Sequence, residues 1–130
     1  MLMPFRNFKQ HHKTHKMTIT IFGATGMVGK RLITHCLAKG WHVKAFGRNV
    51  ESMLDRDMRN SNLEVVKGYV FDENDVRYAL KGTDAVLSAL GGAIHGADKT
   101  RSLGIKNIVG QMEATGVQRI ITLGGLGVFQ

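Results

Sequence analysis

Proline and cysteine are almost absent from this 130-residue sequence. It has one proline, which excludes Pro-rich disorder, and one cysteine, Cys36, so neither an internal disulfide nor a cysteine-based zinc site can form. No apolar run approaches the ~20 residues that a membrane helix needs. These absences predict a globular chain in a reducing compartment, and we expect a cytoplasmic protein with no membrane partner and no bound metal.

Acidic residues are missing from positions 1–16, which hold four of the 18 lysines and arginines and three of the six histidines. The segment lacks the apolar stretch of about 7–15 residues that signal peptides contain. We interpret it as a disordered basic leader, which an upstream start before a natural one at Met17 would explain. A nucleic-acid-binding arm is the alternative. Because no stacking pattern of aromatic residues accompanies the charges, we expect no nucleic-acid partner.

Glycine, in contrast, is abundant at 16 of 130 residues, against a typical ~7%. After Met17 the glycines separate short apolar strands from segments of helical periodicity. The predicted strands are residues 18–22, 41–46, 63–67, 84–90 and 119–123. The predicted helices are residues 27–39, 50–58 with Asn49 as N-cap, 75–81 and 98–115. The inward-facing positions are expected to be Val28, Leu32 and Cys36 on the first helix and Ile105, Ile108, Val109 and Met112 on the last.

This alternation of strands and helices predicts the fold class. Short βα connections favour a parallel sheet with right-handed crossovers, which place helices on both faces. We therefore expect an α/β fold, a doubly wound parallel sheet of the Rossmann type with five strands in the order 3-2-1-4-5. In that order a crevice opens between strands 1 and 4, where such folds bind ligands.

Three glycines directly follow the first strand and open the first helix. Gly23 permits the sharp turn off the strand, Gly26 leaves room for a pyrophosphate, and Gly29 allows close packing of the helix. The helix N-terminus then faces the phosphates, and Thr25 adds a hydroxyl donor. An ordinary tight turn needs one glycine rather than three at this spacing, so the loop predicts a dinucleotide site.

The residues after the second strand predict which dinucleotide binds. A carboxylate there would bind the ribose 2′-hydroxyl of NAD, whereas an arginine accommodates the 2′-phosphate of NADP. The sequence has Arg48 and no acid at the strand end, while Glu51 lies in the first turn of the next helix, where the helix dipole alone favours an acid. A solvated surface arginine is the alternative, but the sequence favours NADP(H) over NAD(H).

Four segments, ITIFGATGMVGKRL, WHVKAFGRN, DAVLSALGG and GVQRIITLGGLGV, resemble the atypical short-chain dehydrogenase/reductase superfamily. The resemblance covers residues 17–130 and is strongest to the branch of flavin reductase/biliverdin reductase and NmrA-like proteins. It implies an NAD(P)-binding Rossmann domain, in which Arg48 would hold the 2′-phosphate. It also implies that the pyrophosphate is lined by Gly23, Thr25, Gly26, Met27 and Val28, and that the ribose near the nicotinamide is approached by Leu90, Gly91 and Gly92.

The sequence departs from this family after its third strand and in its catalytic residues. Relatives carry Gly-Asp where this chain has Gly68-Tyr69, so we expect Tyr69 or Val70 to pack on the adenine. A Tyr-x-x-x-Lys pair is absent, since Tyr78 is followed by lysine at the wrong spacing. Ser88 is expected in the core, and His95 is either a general acid or a loop histidine. No catalytic residue is therefore assigned.

Two functions remain open for this chain. The first is an NADP(H)-dependent oxidoreductase or its cofactor-binding part, acting on an unknown small-molecule substrate. The alternative is a non-catalytic, NmrA-like dinucleotide sensor. Because relatives continue into a further strand, we interpret residues 17–130 as a domain that is incomplete at its C-terminus, with a minimal binding domain as the alternative. The fifth strand would then be an apolar sheet edge, through which we expect the chain to self-associate.

Overall fold

The computed structural model describes residues 16–53, 60–90 and 97–122, without the side chains of residues 52, 53 and 97–100. Its five strands are β1 (Thr18–Phe22), β2 (His42–Gly47), β3 (Leu63–Lys67), β4 (Ala85–Ser88) and β5 (Ile120–Thr122). Its described helices are α1 (Met27–Ala38), α2 (Val50–Met53), α3 (Glu73–Leu80) and α4 (Ala97–Thr115). Two predicted segments lie partly outside the described residues. These are residues 1–15 of the predicted leader and residues 54–58 of the second predicted helix.

The sheet is parallel, and its strand order is β3-β2-β1-β4-β5, as the sequence predicts. The central strand β1 pairs with β2 on one side and with β4 on the other, so that Ile21 lies beside Ala45 and beside Leu87. In these two pairings the last residue of β1, Phe22, lies beside Phe46 of β2 and Ser88 of β4. The loops that follow β1, β2 and β4 therefore emerge at the same edge of the sheet.

Two apolar clusters cover the two faces of the sheet. Ile21 packs with Ile33 of α1 on one face, whereas Phe22 packs with Ile108 of α4 on the other. Thr20 is fully buried on β1, and its hydroxyl donates to the carbonyl oxygen of Ala79 at 3.0 Å. Residues 19–22 of β1 are all buried. Because successive side chains of a strand point to opposite faces, both faces of the sheet are covered at β1, and the sheet lies between two layers of helices.

The structure corrects the predicted inward faces of two helices. Val28 on α1 is 42% exposed, since the glycine at position 29 faces the preceding loop and Ile33 enters the core. Val109 on α4 is also exposed, while Ile108 beside it is buried. The short third helix begins earlier than predicted because Asp72 caps it: the Asp72 carboxylate accepts a hydrogen bond from the Asp75 amide at 2.9 Å.

Candidate functional site

A cleft of about 350 Å³ lies at the carboxyl ends of the first four strands. Four chain segments line it: residues 23–25 after β1, residues 46–48 at the end of β2, residues 68–71 after β3, and Leu90 after β4. The strand order predicts a crevice between β1 and β4, and the cleft includes the ends of these two strands but extends across β2 and β3 as well. None of the described residues lining it is acidic, and Arg48 is the cationic one among them.

The loop after β1 is held close to its neighbours by two glycines. Gly23 has a φ of +78°, and a Cβ there would lie 2.6 Å from the backbone of Ala89. A Cβ on Gly29 would lie 2.0 Å from the Gly23 carbonyl oxygen and 2.8 Å from the Cα of Ala24. Side chains at either position would push the backbone apart, so these glycines allow the tight strand–turn–helix connection.

Gly26 differs from its two neighbours because it faces open space. Among the described residues, a Cβ there would meet only the Gly23 carbonyl oxygen, at 3.8 Å. Gly26 is the N-cap of α1 and has no side chain that could accept a hydrogen bond from the first turn, and that turn contains no acid. Met27 and Val28 are exposed there, at 76% and 42%. The amides of an N-terminus without a side-chain cap suit an anion such as a pyrophosphate, and the bare Gly26 gives it room.

Arg48 and two aromatic residues form the wall of the cleft at β2 and β3. The Gly68 amide donates to the Gly47 carbonyl at 3.1 Å, which continues the strand pairing and brings Arg48 beside Tyr69. The guanidinium carbon of Arg48 lies 5.2 Å from the centre of the Tyr69 ring. That ring meets Phe71 edge to face, with centres 5.2 Å apart. Neither Phe71 nor the contact between Arg48 and Tyr69 was predicted from the sequence, and the two aromatic residues that follow Gly68 are the signal that could have indicated them.

The segment after β3 is fixed to the helices behind it. The Tyr69 amide donates to the Asp75 carboxylate at 3.0 Å, and the Asn107 side chain of α4 donates to the Val70 carbonyl at 2.8 Å. Behind Asn107, Gln111 of the same helix donates to its side-chain oxygen at 3.2 Å. These hydrogen bonds hold the backbone of residues 69–72 in one position along the cleft.

The other residues singled out in the sequence divide into three groups. Thr25 and Leu90 line the cleft, whereas Ser88 is 3% exposed in the core with a hydroxyl that has no hydrogen-bond partner among the described residues. Tyr78 is 61% exposed on α3 and does not line the cleft. Gly91, Gly92 and His95 lie outside the described residues.

In residues 16–53, 60–90 and 97–122, no three His, Cys, Asp or Glu side chains gather in a way that would hold a metal ion. Over the same ranges, no helix combines the length and the apolar character that crossing a membrane requires.

A protein-family model described as NAD(P)H-binding matches residues 23–130 of the chain. Pinoresinol reductase 1 of Arabidopsis thaliana is 28% identical over 115 residues, which cover 84% of this chain and 36% of that protein. Among solved structures, an oxidoreductase from Lactococcus lactis matches with a TM-score of 0.74 and 26% identity, over 85% of this chain and 49% of that one.

A short-chain dehydrogenase/reductase from Veillonella parvula, solved in complex with NADP, has the same fold. It matches with a TM-score of 0.71 and 19% identity, over 87% of this chain and 49% of that chain. The chain thus spans about half the length of these two solved structures and about a third of the plant reductase.

Proposed function

The chain belongs to the NAD(P)H-binding family, and from this premise we propose that residues 17–130 are the NADP(H)-binding part of an oxidoreductase. The observation that carries the proposal is the position of Arg48. It is the cationic residue among the described lining of a cleft, another part of whose wall is a glycine loop at a helix N-terminus. One wall suits a pyrophosphate and the other suits the additional phosphate of NADP.

The pyrophosphate would lie against the first turn of α1. The open space at Gly26 and the absence of a side-chain cap support this, because both leave amide donors accessible to an anion. The residues proposed to contact the pyrophosphate are Gly23, Thr25, Gly26, Met27 and Val28. Those proposed to approach the ribose on the nicotinamide side are Leu90, Gly91 and Gly92.

Arg48 would select NADP(H) over NAD(H) by binding the 2′-phosphate. A planar guanidinium matches phosphate oxygens in pairs, whereas the 2′-hydroxyl of NAD calls for an acceptor such as a carboxylate. The described lining of the cleft offers no carboxylate for that hydroxyl. The complex of the Veillonella parvula protein with NADP also supports the proposal.

Bound NADP(H) would supply the hydride, and the chain's own residues would bind and orient the dinucleotide. A dinucleotide sensor is the second candidate, because the sequence has no Tyr-x-x-x-Lys pair to protonate a substrate. Steady-state oxidation of NADPH in the presence of a flavin or a quinone separates the two. Turnover supports the oxidoreductase, while tight binding without turnover of either acceptor supports the sensor. A cytoplasmic location remains a prediction.

Calorimetric titration with NADP⁺ and NAD⁺ tests the role of Arg48. A charged hydrogen bond to phosphate is worth about 1.5–3 kcal/mol, so Arg48→Ala should weaken NADP⁺ binding about ten- to a hundredfold and leave NAD⁺ binding unchanged. Arg31→Ala removes another exposed arginine, from α1, and is the matched control. An unchanged ratio of the two affinities in Arg48→Ala would overturn the proposed cofactor preference.

A further inference from the structure

Arg48 does not stand alone at the cleft, because Tyr69 lies under its guanidinium. The ring centre of Tyr69 is 5.2 Å from the guanidinium carbon, within the range of a cation–π contact. A solvent-exposed arginine otherwise samples many rotamers, and ordering it on binding lowers the affinity for its ligand. A partner that already orders Arg48 in the free protein reduces this loss.

The Tyr69 ring is suited to this task because its own position is fixed. The backbone amide of Tyr69 donates to the Asp75 carboxylate, and its backbone carbonyl accepts a hydrogen bond from the Asp72 amide at 2.9 Å. On the side chain, Phe71 packs edge to face at an interplanar angle of 79°. The ring is still 42% exposed, so it lies at the surface of the cleft rather than in the core.

We propose that Tyr69 is a specificity-determining positioning residue, whose ring holds the Arg48 guanidinium in place for the 2′-phosphate of the dinucleotide. This rests on the proposed role of Arg48. A guanidinium over an aromatic face keeps its N–H donors at its edge, where they remain available to phosphate oxygens. Tyr69 therefore acts through Arg48, and it distinguishes NADP(H) from NAD(H) without contacting the phosphate.

Three tyrosine variants test this assignment with NADP⁺ and NAD⁺ as ligands. Tyr69→Leu keeps an apolar side chain but removes the ring, and it should weaken NADP⁺ binding about two- to fivefold, the range expected for a cation–π contact at a partly exposed site. Its NAD⁺ affinity should not change. Tyr69→Phe keeps the ring and should retain both affinities. Tyr78→Leu removes a tyrosine outside the cleft and is the control.

A double-mutant cycle then asks whether Tyr69 works through Arg48. In an Arg48→Ala background, Tyr69→Leu should cause no further selective loss of NADP⁺ binding. Equal weakening of both ligands by Tyr69→Leu would mean that the ring contacts the adenine directly, and it would overturn the inference. The inference would also be overturned if Tyr69→Leu left the NADP⁺ affinity unchanged while Arg48→Ala weakened NADP⁺ binding. If Arg48→Ala itself leaves the ratio of affinities unchanged, the proposed cofactor preference fails together with the inference.

Discussion

Substitution of Gly26 by valine should abolish dinucleotide binding and leave the fold intact. Gly26 has φ −77° and ψ 172°, extended backbone that any residue adopts, and a Cβ there would have one ordinary contact with the described part of the chain, at 3.8 Å. Valine is a weaker N-cap than glycine, but it also reduces the entropy of the unfolded chain, so the free energy of unfolding should change by less than about 1 kcal/mol. The branched side chain would occupy the space that the pyrophosphate needs. Loss of one charged hydrogen bond alone lowers affinity about ten- to a hundredfold.

Gly29→Ala, in contrast, should lower the stability of the fold and should leave the space for the ligand unchanged. Its Cβ would overlap the Gly23 carbonyl oxygen at 2.0 Å, and backbone atoms cannot rotate away. Overpacking typically lowers the free energy of unfolding by about 1–3 kcal/mol, and we take the upper value here because the overlap is with backbone atoms. The better helix propensity of alanine offsets about 1 kcal/mol of this loss. The net loss of about 2 kcal/mol lowers the melting temperature by about 8 °C.

Gly110→Ala provides the matched control within a helix. Gly110 lies on the exposed side of α4, and a Cβ there would have no neighbour within 4 Å among the residues that the structure describes. The same substitution should therefore raise the free energy of unfolding by about 0.5–1 kcal/mol and leave binding unchanged. Thermal unfolding followed by circular dichroism, together with titration of NADPH fluorescence, measures both quantities for all three variants. Native NADPH affinity in Gly26→Val, or a native melting temperature in Gly29→Ala, would refute the reasoning from the glycine loop.

Four further predictions concern the core, the thiol and the sheet edge. Thr20→Val should lower the free energy of unfolding by about 1–2 kcal/mol, because it removes the buried hydrogen bond to Ala79, whereas Thr34→Val on the surface should have little effect in urea titrations. Burial raises the pKa of the Cys36 thiol, outweighing the opposite effect of Lys39, so the thiol should react with an aromatic disulfide reagent at pH 8 only as the protein unfolds. The same raised pKa should make stability fall as the pH rises above the ordinary thiol pKa, since the unfolded chain then releases the proton more readily, and Cys36→Ala should reduce that slope. Ile121 is 61% exposed on β5, so sedimentation at micromolar concentration should show association that Ile121→Lys reduces, and a strictly monomeric unmutated chain would contradict this.

The sequence was sufficient for those features that depend on local pattern. The β-branched run before Gly23 predicted β1, and the alternation of strands and helices predicted the strand order, because parallel strands with short connections allow few topologies. The turn at Gly23 was also predictable from local sequence, since a backbone φ of +78° strongly favours glycine.

Features that depend on contacts between distant segments were not predictable from the sequence. Val28 and Val109 fit a helical apolar stripe, but their exposure depends on how closely each helix approaches the sheet, which the neighbouring glycine and isoleucine determine. The contact of Arg48 with Tyr69 follows from the pairing of Gly47 with Lys67 across β2 and β3. The strand boundaries alone do not give that register.

The most direct test of the proposed NADP(H) site is a crystal structure of this protein in complex with NADP⁺. We predict a pyrophosphate against the amides at Gly26 and Met27, and a 2′-phosphate within hydrogen-bond distance of the Arg48 guanidinium. A dinucleotide bound elsewhere, or one in this cleft whose 2′-phosphate points away from Arg48 into solvent, would contradict the account.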